Sequence, residues 1–353
     1  MFRLTKETEK QQLELAPGQK VVSVASSFHK PTEILLKSGK HVNSCCVRCK
    51  PAFCTRFLEG EIKSNDNGFT GSFPFDTNLA VCPVTAISTG NDGTPIVRCD
   101  DCIGCGLCAA RCPVGAIHID RIKRVAVVSR ETGGVFVAAS GDSGPKETLE
   151  HIRSLSRESG PPEISSKFLI DLLGRLQECG ADTPNFENHF TRNLLIQLGI
   201  PCKMRRVGDQ NLRMDLFAEK EGSVLVAEVD FNPQNLVATP RGILDDVAVL
   251  HSRHGVELHS IVPIVFCNRF PNKRSDYYEI MKDIRVITGV RPHTVSVCAL
   301  LVMMLTGTRI KISRFKDVFL VDNEKMDINS DLSSIIRETV TLEGLEDFLS
   351  PGK

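Results

Sequence analysis

The stretch from Cys99 to Pro113, Cys-Asp-Asp-Cys-Ile-Gly-Cys-Gly-Leu-Cys-Ala-Ala-Arg-Cys-Pro, limits what this chain can fold into more than any other. From Cys102 it reads Cys-x2-Cys-x2-Cys-x3-Cys-Pro. Three thiolates spaced two residues apart on a tight loop can all face one metal centre. Such a loop must curl around the centre and offer N–H groups to its sulfurs, which suits Gly104 and Gly106 because they carry no Cβ. The next cysteine, Cys112, is followed by Pro113; this Cys-Pro sits on a short helix and points elsewhere. A weaker copy lies upstream. Val81-Cys82-Pro83-Val84-Thr85-Ala86-Ile87 echoes Arg111-Cys112-Pro113-Val114-Gly115-Ala116-Ile117, an internal repeat. Between the copies, residues 88–97 read as strand, turn and strand, with Asn91-Asp92-Gly93 at the tip.

Residues of about 45–120, most closely 78–120, resemble the bacterial-type two-cluster 4Fe–4S ferredoxin domain, in which the cysteine of each Cys-Pro pair serves the cluster held by the other run. The resemblance implies an α+β ferredoxin-like iron–sulfur module, low-potential one-electron transfer and a redox partner protein. Carried over position by position, one cluster takes Cys82, Cys102, Cys105 and Cys108, and the other takes Cys46, Cys49, Cys54 and Cys112. The first run departs from the family pattern. Its members are Cys45 or Cys46, then Cys49 and Cys54, spaced x2 and then x4, and a long insertion precedes Cys82. Cys45, Cys46 and Cys99 are therefore rival ligands, and one cluster or two remains open. A zinc site or unligated thiols are the bland alternative, although four-cysteine zinc sites favour two separated Cys-x2-Cys pairs.

The remaining cysteines, Cys179, Cys202, Cys267 and Cys298, stand singly among apolar neighbours, as buried free thiols do and a secreted disulfide framework does not. Lys+Arg and Asp+Glu both number 43 in 353 residues, so net charge gives no general push toward nucleic acid or membrane. The first ten residues lack the apolar core of a signal peptide, and no apolar run is long enough to span a bilayer. A soluble cytoplasmic protein with no membrane partner is expected.

The chain divides into a β-rich segment over 1–44, the ferredoxin-like module over 45–139, a linker with a short helix (Glu147–Arg157) over 140–162, and an α/β domain over 163–353. Strands are expected at 20–25 and 33–36, and the insertion of 56–75 reads as a surface loop. After the module, extended chain to Val128 and a return strand over 135–139 are expected. In the last part, helices are expected from Ser166, from Thr183-Pro184 to Leu198, and from Thr239-Pro240 to Arg253. A hairpin joins 212–218 to 224–231, and a buried strand covers 261–267. Helices at 277–284 and 294–305, strands at 309–312 and 318–321, and an acidic amphipathic helix near the end complete the expectation.

The order helix, strand, strand, helix, strand resembles the PD-(D/E)xK nuclease superfamily, which implies a restriction-endonuclease-like fold. The matching acids are Glu187, Asp215 and Glu228, which the resemblance would place around Mg²⁺ for phosphodiester cleavage of nucleic acid. The lysine expected two residues after the second acid is absent, since Asp230 stands there; Arg241 or Lys220 could replace it. Lys203, Arg205, Arg206 and Arg213, and later Arg269, Lys273 and Arg274, could track phosphates, yet acids slightly outnumber bases from Gly160 onward. The function is thus read in two ways: an electron-transfer or redox-sensing iron–sulfur protein, or a metal-dependent nuclease with a structural or regulatory iron–sulfur domain.

Overall fold

A computed structural model describes residues 46, 48–63, 69–71, 73–112, 115–120, 122–128, 166–206, 208, 213–321, 328–337 and 344–351, and the backbone of 33–35 and 41–43. The chain forms two compact units: Met1–Leu58 with Leu79–Glu163, and Glu59–Asn78 with Ile164–Lys353. The unbroken span 45–139 drawn from sequence is therefore interrupted, because 59–78 pack with the later part of the chain.

In the first unit, β1 (Glu33–Leu35) and β2 (His41–Asn43) pair antiparallel. Residues 55–57 then run antiparallel to 79–81. Phe57 N donates to Leu79 O at 2.8 Å and Val81 N to Thr55 O at 3.1 Å, on either side of an Arg56–Ala80 bridge. Between these two stems the chain leaves through the short helix α1 (Glu59–Ile62). β3 (Ile87–Thr89) and β4 (Pro95–Val97) form the hairpin expected around Asn91-Asp92-Gly93. Its tip is closed by Gly90 N donating to Thr94 O, with Gly93 at φ 82°. Helix α2 (Leu107–Arg111) leads to β5 (Ile117–Ile119) and β6 (Ala126–Val128), a second hairpin turned at Asp120, whose Oδ1 accepts from the N–H groups of Ile122 and Lys123. The expected strand at 20–25, the return strand at 135–139 and the helix at 147–157 lie outside the described residues.

The second unit is built on a five-stranded sheet. Its strands are β7 (Cys202–Met204), β8 (Leu216–Lys220), β9 (Ser223–Asp230), β10 (Ile261–Cys267) and β11 (His293–Ser296), ordered β11-β10-β9-β8-β7. The three strands β7–β9 are an antiparallel meander, whereas β10 lies parallel to β9 and β11 parallel to β10. Every residue of β10 is buried, which is why it reads as a continuous apolar run and not as an alternating one. Helices α3 (Ser166–Asp182) and α4 (Phe186–Gln197) precede the sheet, with α4 against β7 and β9. Helix α5 (Thr239–His254) packs on β9 and β10 and touches α6 (Tyr277–Thr288). Met214, Phe217, Val224, Val226, Ile243, Val247, Leu250 and Ile261 form the core beneath α5, and Phe73 and Phe75 pack against it.

The insertion is therefore not a free loop. Phe73 and Phe75 find apolar surface on this sheet, and Phe75 bridges Arg205 while Asp76 N donates to Met204 O at 2.9 Å. The helix expected at 294–305 is divided: β11 ends at Ser296, whose hydroxyl accepts from Ala299 N and caps α7 (Val297–Leu305). The strand expected at 309–312 is absent; Ile312–Asp317 is a 3-10 helix. Residues 318–321 form no ladder either. Phe319 O accepts a single bond from Thr294 N at 3.1 Å, which satisfies the backbone without a strand pair. Helices α8 (Asn329–Ile336) and α9 (Glu346–Leu349) occupy the acidic tail. No described helix is long and apolar enough to cross a membrane.

Candidate metal centre

Cys82, Cys102, Cys105 and Cys108 line one pocket of about 340 Å³, with Val84, Ile87, Val97, Ile103 and Leu107 among its apolar walls. Gly104 and Gly106 take left-handed φ values of 65° and 81°, so the loop curls in a conformation that a side chain would strain. Gly106 directly precedes α2, which starts within the pocket wall. Cys46, Cys49, Cys54 and Cys112 line a second pocket of about 330 Å³, closed by Ala52, Phe53, Pro95, Ala116 and Ile117. The two pockets are stitched by α2: Cys108 on the helix faces one, and Cys112 at its C-cap faces the other.

The internal repeat is also a geometric one. Ala86 N donates to Cys82 Sγ at 3.2 Å, and Ala116 N donates to Cys112 Sγ at 3.2 Å, both four residues on. The third residue after each cysteine, Thr85 or Gly115, adopts a left-handed φ, 52° or 62°. Arg48 matches Gly104 in the same sense, two residues after Cys46 and Cys102, with φ 51° against 65°. Arg48 N donates to Cys46 Sγ at 3.4 Å, while its side chain reaches Thr94 Oγ1 at 3.2 Å and Asp92 at 3.7 Å, tying the first run to the β3–β4 tip. Ala126 N donates to Cys102 Sγ at 3.3 Å. Of the rival thiols, Cys99 is exposed and lines neither pocket. Cys45 lies outside the described residues.

Arg111 was not singled out from the sequence. It is 1% exposed, donates from Nε to Phe53 O at 2.8 Å, and lies 4.4 Å from the Phe57 ring centroid. Its place between Cys108 and Cys112 on a short helix was the available signal.

Burial pushes the Cys49, Cys54, Cys105 and Cys108 thiols far above their ordinary range, and charge on neighbouring cysteines pushes further. Cys54 is among the neighbours that raise Cys108, so the two pockets are close enough for their thiolates to feel each other. Four buried thiolates need cationic charge between them to be stable. Among the described residues, no three His, Cys, Asp or Glu side chains converge tightly enough for a single ion. Tetrahedral zinc, with bonds of about 2.3 Å, would draw four sulfurs within about 4 Å of one another. Thiols spread around a pocket, with N–H donors on their sulfurs, fit a polynuclear core.

Residues 100–118 match the family described as 4Fe-4S binding domain. Two uncharacterized ferredoxins of Methanocaldococcus jannaschii are similar. One is 56% identical over 39 residues, 11% of this chain and 25% of its own length. The other is 36% identical over 87 residues, 25% of this chain and 37% of its own length. No solved structure matches the chain significantly. The chain is thus an iron–sulfur protein. It carries a ferredoxin-type 4Fe–4S domain, and its matches span well under half the length of these relatives.

The acids expected in the second unit occupy one end of β8 and β9. Asp215 Oδ2 accepts from Val229 N at 3.1 Å and its Oδ1 lies 3.6 Å from Arg205. Glu187 Oε2 accepts from Phe231 N at 2.9 Å, at the end of β9. Burial raises Glu187 to about 7, opposed by that N–H. Asp246 on α5 neighbours Glu228; burial holds both above the usual carboxylate range, with Asp215 adding to each. Asp246 Oδ2 is buried without a hydrogen-bond partner. A carboxylate on the stripe Ile243, Val247, Leu250 was visible in the sequence as a break in apolar periodicity. Of the expected stand-ins for the missing lysine, Lys220 instead donates to Gly199 O at 2.9 Å.

Proposed function

We propose that the chain transfers single electrons through two 4Fe–4S clusters for a protein redox partner. One would be held by Cys82, Cys102, Cys105 and Cys108, and the other by Cys46, Cys49, Cys54 and Cys112. The single observation that supports this most is the crossed arrangement at α2, where Cys108 and Cys112 serve different pockets four residues apart. When bound, each cluster supplies a reversible one-electron store. The residues of the chain do the rest. The N–H groups of Ala86, Ala116, Ala126 and Arg48 stabilise negative charge on sulfur and so favour the reduced state. The apolar walls bury Cys54, Cys105, Cys108 and Cys112 and lower the dielectric around their sulfurs. Free thiols in this number suit a reducing, cytoplasmic compartment.

The test is anaerobic purification with iron and sulfide quantification, followed by EPR of the dithionite-reduced protein. Two cubanes give about eight irons per chain and a spin-coupled spectrum. About four irons with an uncoupled signal would leave one cluster, and stoichiometric zinc without sulfide would end the proposal.

A second reading is hydrolysis of nucleic acid at Glu187, Asp215 and Glu228 with Mg²⁺, or redox sensing that controls it. It is favoured by the contact of Glu228 with Asp246 beside Asp215, in the order helix, three-stranded meander, helix, parallel strand. As placed, these side chains do not converge on one ion, so no metal-dependent step is derived. Arg205 beside Asp215 is a cation near these acids, although Lys203 and Arg213 are engaged by Thr70 O and Asp245. Cleavage of DNA or RNA that persists unchanged in Asp215→Ala, or no cleavage with Mg²⁺ or Mn²⁺, would sink this reading.

A further inference from the structure

The segment between Cys54 and Cys82 leaves one unit, folds as part of the other, and returns. Its roots are paired. Residues 55–57 and 79–81 hydrogen-bond to each other directly after Cys54 and directly before Cys82. Arg111 holds the outgoing root through Phe53 O and the Phe57 ring, from a helix flanked by Cys108 and Cys112.

The head is equally well seated. Thr70 is fully buried, its hydroxyl donating to Glu219 Oε2 at 3.0 Å and its carbonyl accepting from Lys203 Nζ at 2.8 Å. Lys203 is 3% exposed and its ammonium lies 4.9 Å from the Phe75 ring centroid. Phe73 meets Phe217 of β8 edge to face at 6.2 Å. Asp76 continues onto α4, 3.8 Å from His189 and 4.0 Å from Arg192, whose side chain is fully buried. The same helix carries Glu187, and Arg205, the bridge partner of Phe75, faces Asp215.

We infer that the segment between Cys54 and Cys82, through its described residues 69–71 and 73–78, is a strap that couples assembly of the cysteine sites to the order of the β7 edge and of α4 in the second unit. The coupling rests on the two-cluster reading, because the strap is rooted between a ligand assigned to each cluster. Holding Cys54 and Cys82 in place fixes both roots, and fixed roots lower the entropy cost of seating the head. Loss of the cores frees the roots, so the head detaches more often and uncovers the β7 edge. The linkage is reciprocal: unseating the head must loosen the cysteine sites by the same factor.

Hydrogen exchange on full-length protein, anaerobically purified and then stripped by chelation, tests this. Stripping is expected to speed exchange about tenfold at the amides of Thr70, Asp76 and Arg205, while the interior of β10 stays protected. The reciprocal arm uses Lys203→Met and Thr70→Val, neither of which lines a cysteine pocket, and follows bleaching of visible absorbance in chelator. A several-fold faster loss is expected in both. Unchanged exchange in protein shown to have lost its iron, together with unchanged bleaching in both variants, overturns the strap and leaves the clusters standing. Protein that never contained iron and sulfide overturns the cluster reading, and the strap with it.

Discussion

At the scale of single residues, the thiols differ in how replaceable they are. Cys112 is the only cysteine of α2's C-cap and belongs to the pocket of Cys46, Cys49 and Cys54. Cys112→Ser is expected to roughly halve the iron content while leaving the signal of the Cys102 loop, and Cys82→Ser to do the converse; iron quantification with EPR checks both. Cys99→Ser is expected to leave iron content unchanged, since Cys99 is exposed and lines neither pocket. Gly104→Val forces a branched side chain into a φ of 65°, and a strain of about 1–2 kcal/mol should appear as faster cluster loss in chelator. The cysteine positions were all legible as spacing. That Arg48, two residues after Cys46, shares the left-handed turn of Gly104 was not.

At the scale of elements, helix and strand patterns were readable where one face meets a core. The helix from Ser166 and the buried strand β10 appear as expected. The pieces at 309–312 and 318–321 look strand-like in sequence, yet no partner edge receives them as a ladder. Phe217, fully buried in β8 beneath Phe73, should cost about 3–5 kcal/mol when cut to alanine, measured by denaturant unfolding. The acids at the ends of β8, β9, α4 and α5 give a pH dependence whose sign is set by burial. Glu187, Asp215, Glu228 and Asp246 all have folded pKa values raised above those of the unfolded chain. Between the unfolded and folded values the folded state holds more protons, so stability falls as pH rises. In chelator, the melting temperature of the second unit should therefore drop from about pH 5 to about pH 8, and Glu228→Gln should flatten the drop. A melting temperature that rises over that range would show that these carboxyls are not desolvated.

At the scale of the whole molecule, the described residues of the first unit form short strand pairs and one five-residue helix around the thiol-lined pockets. Stripping the iron should remove its share of the calorimetric unfolding enthalpy, while far-ultraviolet dichroism from the helices of the second unit persists. The cysteine code was local: ligand spacing, glycine turns and a Cys-Pro repeat are decided within a few residues, and they survive reading in one dimension. The route of the chain was not local. A segment rich in Gly, Asn, Ser and Phe reads as a loop, because nothing in its own residues says that Phe73 and Phe75 will find the face of β8, or that Thr70 will meet Glu219 and Lys203 more than 130 positions away. Likewise Asp246 becomes part of an acidic group only once α5 lies on β9. Short-range chemistry belongs to the order of residues, and long-range burial belongs to the fold that brings distant surfaces together.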